Sequence, residues 1–161
     1  MKDKIISILR SNARMSMEAI AAELNSTAPE VAAIIDEMEK NGVIRGYTAI
    51  VTDEAPGSET RVKALIEVKV TPNRDGGFDR VARRIAKFPE VTDLCLLSGS
   101  YDLQLTVEGN SLQQVANFVS AKLATIDGVI STATAFQLKR YKESGMIMQS
   151  DEEYERLKIC F

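Results

Sequence analysis

Apolar residues recur every three or four positions through the N-terminal part of the chain. The three stripes are Ile5, Ile6, Ile8 and Leu9, then Ile20, Ala21 and Leu24, then Val31, Ile34, Ile35 and Met38. This spacing predicts three short amphipathic helices, each with one buried face. Ser16 is the predicted N-cap of the second helix, and Thr27 with Glu30 has the pattern of a capping box for the third. Asn41 and Gly42 predict the end of the third helix, because both residue types tolerate a positive φ.

A leading helix followed by a short helix, a tight turn and another helix is the helix-turn-helix arrangement. The same pattern fits a plain three-helix bundle that docks another protein. We assign residues 1–48 to a predicted helix-turn-helix DNA-binding domain. Residues 52–60 are polar and rich in turn formers, and we interpret residues 49–60 as a linker.

Beyond the linker, the apolar spacing changes to the alternation of strands. The predicted order is a strand at 62–70, a helix at 78–85, strands at 91–97 and 102–107, a helix at 112–123 and a strand at 129–139. The order βαββαβ predicts a ferredoxin-like α+β domain over residues 61–139. Residues 140–161 form a C-terminal extension, in which 151–157 is a short helix or a loosely docked end.

Two helices cover only one face of a four-stranded sheet. The apolar residues that we expect on the other face are Leu94, Leu96, Ile130, Phe136 and Leu138. An uncovered apolar area of this size favours association, so we expect a homodimer that packs sheet against sheet.

Composition narrows the function classes. The 161 residues carry a formal net charge of −3 and include no histidine. Without histidine, the commonest general base and zinc ligand is absent, and no paired-carboxylate constellation stands out. We therefore expect no enzyme, no metal and no cofactor. Cys95 lies in an apolar stretch and is predicted to be a core residue, while Cys160 is predicted to be exposed. Short apolar runs and the lack of a signal peptide predict a cytoplasmic protein without a membrane span.

Three ordered motifs make the chain similar to the leucine-responsive regulatory protein/AsnC family, the feast/famine regulators. Residues 39–47, EKNGVIRGY, resemble the family's LExxGVIxGY. Residues 88–91, FPEV, and 98–103, SGSYDL, resemble its LPEV and GxYDL. Residues 126–134, IDGVISTAT, resemble its lPGVxxTxT. The resemblance spans roughly residues 1–139. It implies a winged-type helix-turn-helix, a ligand-binding βαββαβ domain, dimers that often assemble into octamers, and amino-acid effectors.

The third helix departs from this family at its outer face. Where the family carries basic residues, this chain has Glu30, Asp36, Glu37 and Glu39 and no Arg or Lys before Lys40. Carboxylates repel phosphates, and reading guanine usually needs Arg or Lys. If the domain binds DNA, we expect base contacts from the start of the helix and phosphate contacts from the remaining cations. The predicted base-contacting residues are Ser26, Thr27 and Ala28, and the predicted phosphate-contacting residues are Lys2, Lys4, Arg14 and Arg45.

An amino-acid effector needs partners for its carboxylate and its ammonium group. Backbone N–H groups at a glycine turn suit the carboxylate, while hydroxyls and an aspartate suit the ammonium group. The candidate residues are Gly99, Tyr101 and Asp102 in the turn and Thr132 and Thr134 on the last strand. The alternative is that Gly99 permits the turn, Asp102 caps it and the threonines are ordinary strand residues.

Two other function classes remain at this point. One is an effector sensor whose acidic N-terminal domain binds a protein rather than DNA. The other is an enzyme, since siroheme decarboxylases resemble this family in fold. Those enzymes depend on histidine at the haem site, which this chain lacks.

Overall fold

The computed structural model describes residues 1–52, 61–72 and 77–148. The chain forms two compact units, Met1–Ile50 and Val51–Phe161, which we call the head and the body. The head contains α1 (Lys2–Ser11), α2 (Met17–Leu24) and α3 (Ala28–Lys40). The body contains β1 (Val62–Val70), α4 (Asp79–Ile85), β2 (Val91–Leu96), β3 (Leu103–Gly109), α5 (Leu112–Phe118), β4 (Val129–Phe136), β5 (Lys142–Glu143) and β6 (Met146–Ile147).

The head packs its three apolar stripes into one core. Its buried residues are Ile5, Ile8, Ile20, Ala21, Val31, Ile35 and Met38. Ser16 caps α2 as predicted, since its Oγ accepts from the Ala19 N–H at 3.2 Å. The predicted capping box is wrong, because Thr27 occupies the N-cap position of α3 without a side-chain cap bond. Glu30 instead accepts a hydrogen bond from the Oγ of Ser26 at 2.7 Å.

A glycine ends α3. Gly42 has φ +67°, and the Val43 N–H donates back to the Met38 carbonyl at 2.8 Å. This backbone conformation satisfies carbonyls at the end of the helix, and few residues other than glycine adopt it at low cost. The Arg45 guanidinium lies so close that a Cβ at Gly42 would stand 3.0 Å from its Cζ.

The body is an antiparallel sheet of order β2-β3-β1-β4 with α4 and α5 on one face. This order confirms the predicted ferredoxin-like α+β fold. The core between sheet and helices is built from Ala64, Ile66, Val68, Val70, Val81, Ile85, Leu103, Leu105, Val107, Val115, Phe118, Leu123 and Ile126. A π-helical turn, Val119–Leu123, continues α5.

The prediction of an apolar second face is wrong for Leu94, Leu96 and Phe136. Leu94 lies opposite Leu105, Leu96 opposite Leu103 and Phe136 opposite Ala64, and these three partners are all buried beneath the helices. Directly opposed residues point to the same side of a sheet. The open face instead presents Lys63, Leu65, Glu67, Lys69, Gln104, Thr106 and Glu108. The prediction assumed that side chains alternate strictly between the two faces along each strand. This alternation is shifted by irregularities between Val91 and Asp93 and between Lys69 and Val70.

Two smaller predictions need correction, and three lie wholly or mostly outside the described residues. Cys95 is exposed rather than buried, and its Sγ lies 3.7 Å from the Gln104 carbonyl across the strand pair. The last long strand ends at Phe136 rather than at Lys139. The predicted helix at 151–157, Cys160 and most of the predicted linker lie outside the described residues.

The segment after β4 forms a small hairpin. Lys142 pairs with Ile147 and Glu143 with Met146, and the turn between them has positive φ at Ser144 and Gly145. Among the described residues, none of the helices is long and apolar enough to cross a bilayer.

Candidate functional site

The outer face of α3 is acidic in the folded head. Val31, Ile35 and Met38 turn inward, and the four carboxylate side chains are all exposed. These are Glu30, Asp36, Glu37 and Glu39. The residues that face solvent on this helix therefore repel a phosphate backbone unless nearby cations offset them.

Of the predicted phosphate-contacting residues, Lys2 is already paired. Its Nζ lies 2.7 Å from Oε1 of Glu37, which links α1 to α3, and both side chains are about half exposed. Lys4, Arg14 and Arg45 are exposed and have no ion-pair partner within the described part of the chain. Of the predicted set, these three residues stay available for phosphates.

The predicted base-contacting residues lie together at the start of α3. Ser26 donates its hydroxyl to Glu30, and Ala28 packs against the head core. The Thr27 side chain is exposed and makes no cap bond. Thr27 is therefore the residue of the three that is best placed to reach a ligand.

No local sequence pattern predicted the contact between Tyr47 and α3. The Tyr47 hydroxyl donates to Oε1 of Glu39 at 2.8 Å. Partial desolvation, this hydrogen bond and the negative charge of Glu39 together raise the pKa of the Tyr47 phenol above its ordinary value. The contact fastens the segment after α3 to the acidic end of the helix.

In the body, the predicted Asp102 holds the turn between β2 and β3. Its carboxylate is largely buried, with 16% of the side chain exposed. Oδ2 accepts from the Val70 N–H at 2.9 Å, and Nζ of Lys69 lies 3.5 Å from Oδ1. The same Nζ donates to the Ser100 carbonyl at 3.0 Å. Asp102 therefore ties the turn to the end of β1, as the alternative interpretation of this residue expected.

The other predicted effector residues lie on two sides of β1. Gly99 is exposed and Tyr101 half-buried in the turn, while Thr132 and Thr134 lie on β4 opposite Val68 and Ile66. Because β1 separates β4 from β3, the threonines and the turn are about two strand spacings apart, roughly 10 Å. Within one chain, the structure places them at the same level of the sheet without bringing them into contact.

Comparison with known proteins identifies the family of the chain. Residues 63–147 match the Lrp/AsnC ligand binding domain family, and residues 4–45 match a winged helix-turn-helix DNA-binding family. The chain belongs to the Lrp/AsnC family.

Individual relatives agree with this assignment. An uncharacterized HTH-type transcriptional regulator of Bacillus subtilis, YugG, is 43% identical over 156 residues, covering 97% of this chain and 94% of the relative. The fold matches that of Escherichia coli AsnC, with a TM-score of 0.64 at 21% identity over 88% of this chain and 93% of the other. It also matches a transcriptional regulator of Neisseria meningitidis solved in complex with L-Met, with a TM-score of 0.65 at 23% identity over 88% and 90% of the two chains.

These matches confirm the resemblance seen in the three motifs. The protein is a transcriptional regulator with a DNA-binding helix-turn-helix and a ligand-binding domain, as its Lrp/AsnC relatives are. The expectation that it is not an enzyme is confirmed by the same relatives, which are named as regulators. The ligand-binding family match runs to residue 147 and so includes the β5–β6 hairpin.

The body of this Lrp/AsnC protein also holds an ion pair that sequence reasoning missed. Lys122 in the π-helical turn donates to Oε1 of Glu90, and its Nζ lies 5.7 Å from the ring centroid of Phe88. The hydrogen bond from Lys122 lowers the pKa of the Glu90 carboxyl below its ordinary value. The pair fastens α5 to the start of β2.

Proposed function

We propose that this Lrp/AsnC regulator binds DNA as a homo-oligomer and responds to a free amino acid. The observation that carries the proposal is the match of residues 63–147 to a family of ligand-binding domains next to a DNA-binding head. The structural neighbour from Neisseria meningitidis, which was solved with L-Met, supports an amino acid as the ligand class. A regulator of chromosomal DNA acts in the cytoplasm.

We place the effector between two copies of the chain. In one copy, the turn with Gly99 and Tyr101 and the hydroxyls of Thr132 and Thr134 are too far apart to hold one small zwitterion together. Two copies that meet at this level of the sheet supply the turn from one chain and the hydroxyls from the other. Asp102 then acts by shaping the turn rather than by binding the ammonium group alone, because its carboxylate already accepts from Val70.

Exposed apolar side chains near the sheet edge supply a surface for the second copy. Ile130, Phe136 and Leu138 are 63%, 38% and 95% exposed, and Ile147 in the following hairpin is 77% exposed. β4 is an edge strand of the sheet. An edge strand and apolar side chains next to it favour association. We propose a homodimer through this edge, from which an octamer can assemble.

The test is a thermal-shift screen of the twenty amino acids on wild-type protein and on the variant Thr134→Val. Thr134 is exposed, so this change should leave the fold intact and remove stabilisation by the amino acid that binds. Thr48→Val, an exposed threonine of the head, is the matched control and should respond as the wild type does. If the amino acid stabilises Thr134→Val as much as the wild type, the effector binds at another site.

Asp102 needs a pair of variants because it is also structural. Asp102→Asn keeps an acceptor for the Val70 N–H, whereas Asp102→Ala leaves that buried donor unpaired. We expect Asp102→Ala to lose about 1–3 kcal/mol of unfolding free energy and Asp102→Asn to lose less. Loss of ligand response in Asp102→Asn at near-normal stability would assign the carboxylate a direct role in binding.

Assembly and DNA binding are tested separately. Sedimentation at micromolar concentration should show an oligomer for the wild type and a smaller species for Phe136→Asp, because the variant places a charge in an apolar contact. A stable wild-type monomer would contradict the proposed dimer. DNA binding is measured by titration onto the protein's own upstream region at about 50 mM salt, where electrostatic binding is strong.

The acidic face of α3 and the Lys2–Glu37 pair favour a second candidate function for the head, docking of a basic protein. Complete absence of DNA binding in that low-salt titration would put this candidate first.

A further inference from the structure

Four cations form one stripe on the outer face of α4. Val81 and Ile85 are the buried residues of this helix. The stripe consists of Arg80, Arg83, Arg84 and Lys87, all exposed. At about 100° per residue the three arginines fall within an arc of roughly 100°, so their side chains leave the helix in one direction. Lys87 follows the helix and lines the same groove. We call this set the α4 stripe.

Two members of the α4 stripe have carboxylate partners. Arg80 lies 3.1 Å from Asp127, and Arg83 lies 3.6 Å from Asp79. The side chains of both pairs are 67% exposed or more. Ion pairs this exposed contribute little, so a phosphate can replace the carboxylate at small cost.

The other two members are available outright. Arg84 and Lys87 have no ion-pair partner in the part of the chain that the structure describes. Lys87 lies just past the C-cap of α4, two positions after the last helical residue. The α4 stripe therefore carries at least two positive charges that the described fold leaves unneutralised.

The surface beside the stripe is an open groove. It has a volume of about 790 Å³ and is bordered by α4 and by Ile126 and Asp127. A small-molecule site buries most of its ligand against apolar walls, whereas this groove is lined mainly by exposed charged side chains. An extended polyanion that is held by side-chain cations from the surface fits it better.

The head supplies the reason to expect that polyanion to be DNA. Residues 1–50 hold six Lys or Arg and seven Asp or Glu, so the DNA-binding unit is itself slightly acidic. Lys2 is engaged by Glu37. Non-specific affinity for DNA comes from cations that neutralise phosphates, and the head carries no net positive charge.

We propose that the α4 stripe binds the phosphate backbone of duplex DNA that flanks the site contacted by the head. The inference rests on DNA binding by the head. From Arg80 to Arg84 the helical rise is roughly 6 Å, which matches about two base pairs at 3.4 Å each. The body then adds sequence-independent affinity, and the head contributes the sequence preference.

The experiment compares two lengths of DNA with the full-length protein. The short DNA is a duplex of about 30 bp, chosen as the tightest binder among overlapping duplexes that together cover the upstream region. The long DNA is a fragment of about 150 bp that contains this duplex. The variant is Arg84→Gln/Lys87→Gln. On the long fragment we expect its affinity to fall about tenfold and its log–log salt slope to drop by about one for each lost phosphate contact. On the short duplex its affinity should equal that of the wild type.

The matched control is Arg61→Gln/Lys142→Gln, which also removes one Arg and one Lys from exposed positions of the body. Equal losses in the two double variants would overturn the proposal, because net charge alone would then explain them. Wild-type affinity of the Arg84→Gln/Lys87→Gln variant on the long fragment would also overturn it. A third result would overturn the proposal as well. Inorganic pyrophosphate would stabilise the wild type but not the Arg84→Gln/Lys87→Gln variant, while the affinity of that variant for the long fragment stays normal. Failure of the wild type on the short duplex would instead count against DNA binding by the head.

Discussion

Helices α3 and α4 pack in the same way and present opposite charges. Each buries an apolar stripe and leaves its outer face to solvent. That face is acidic on α3, the helix of the DNA-binding head, and basic on α4 in the ligand-binding body. Packing fixes which residues of a helix are apolar and leaves the charge of the other face free to follow function. This difference fits the proposed division, in which the head supplies sequence preference and the body supplies phosphate neutralisation.

Glu37→Lys should reduce the charge difference between α3 and α4 more than any other change considered. The change reverses one charge on α3 and releases Lys2 from its 2.7 Å contact. We expect affinity for a short duplex to rise about tenfold or more, with a steeper salt dependence. The measurement is a titration at several salt concentrations. Glu23→Lys, an exposed glutamate on α2, controls for net charge, and an equal gain in both variants would show that α3 is not special.

Gly42→Ala should have the next largest effect. A side chain at φ +67° is strained, and its Cβ would press on the Arg45 guanidinium. We expect the unfolding free energy of the head to fall by about 1 kcal/mol in urea titrations. Gly46→Ala is the matched control, because a Cβ there meets nothing within 4 Å. Equal stability of the two variants would contradict the assigned geometry at the end of α3.

Asp79→Asn should increase the charge difference between α3 and α4, in this case by a change on α4. It removes the carboxylate 3.6 Å from Arg83 and makes α4 more basic. We expect affinity for the long fragment to rise about two- to threefold, because exposed pairs are weak, and affinity for the short duplex to stay constant. Asp127→Asn, which releases Arg80, should act alike. Weaker long-fragment binding in both variants would argue against DNA at this groove.

Glu90→Gln should have the smallest effect and a distinct pH dependence. Lys122 lowers the folded-state pKa of Glu90 below its ordinary value of 4.5, so the pair stabilises the body above that pH. The contribution is lost as the pH falls through the lower, folded-state pKa. In urea unfolding we expect a loss of about 0.5 kcal/mol at pH 7 and a smaller loss at pH 3. The same loss at both pH values would exclude the ion pair as its cause.

Local patterns predicted the elements well because they depend on neighbouring residues. The stripes of α1 to α3, the Ser16 cap and the Gly42 end all involve residues within a few positions of one another, and the structure has them where the spacing placed them. The strand order followed from the βαββαβ sequence of elements, since short connections leave few arrangements.

Contacts between distant residues could not be predicted in the same way. Lys2 meets Glu37 across 35 positions and Asp102 meets Val70 across 32, and neither spacing has a local signature. The prediction of which sheet face Leu94 and Leu96 occupy was wrong, because an irregularity near Thr92 shifts the alternation of side chains between the faces by one residue. The capping box failed because Ser26, one position before Thr27, competes for the same glutamate.

The polar open face of the sheet has a consequence for biosynthesis. Lys63 and Glu108 lie 3.4 Å apart on that face, among other hydrophilic side chains, so the face is stable in water without a cover. A newly made chain can therefore complete its body before it meets a second copy. The proposed assembly then depends on protein concentration rather than on completion of the body.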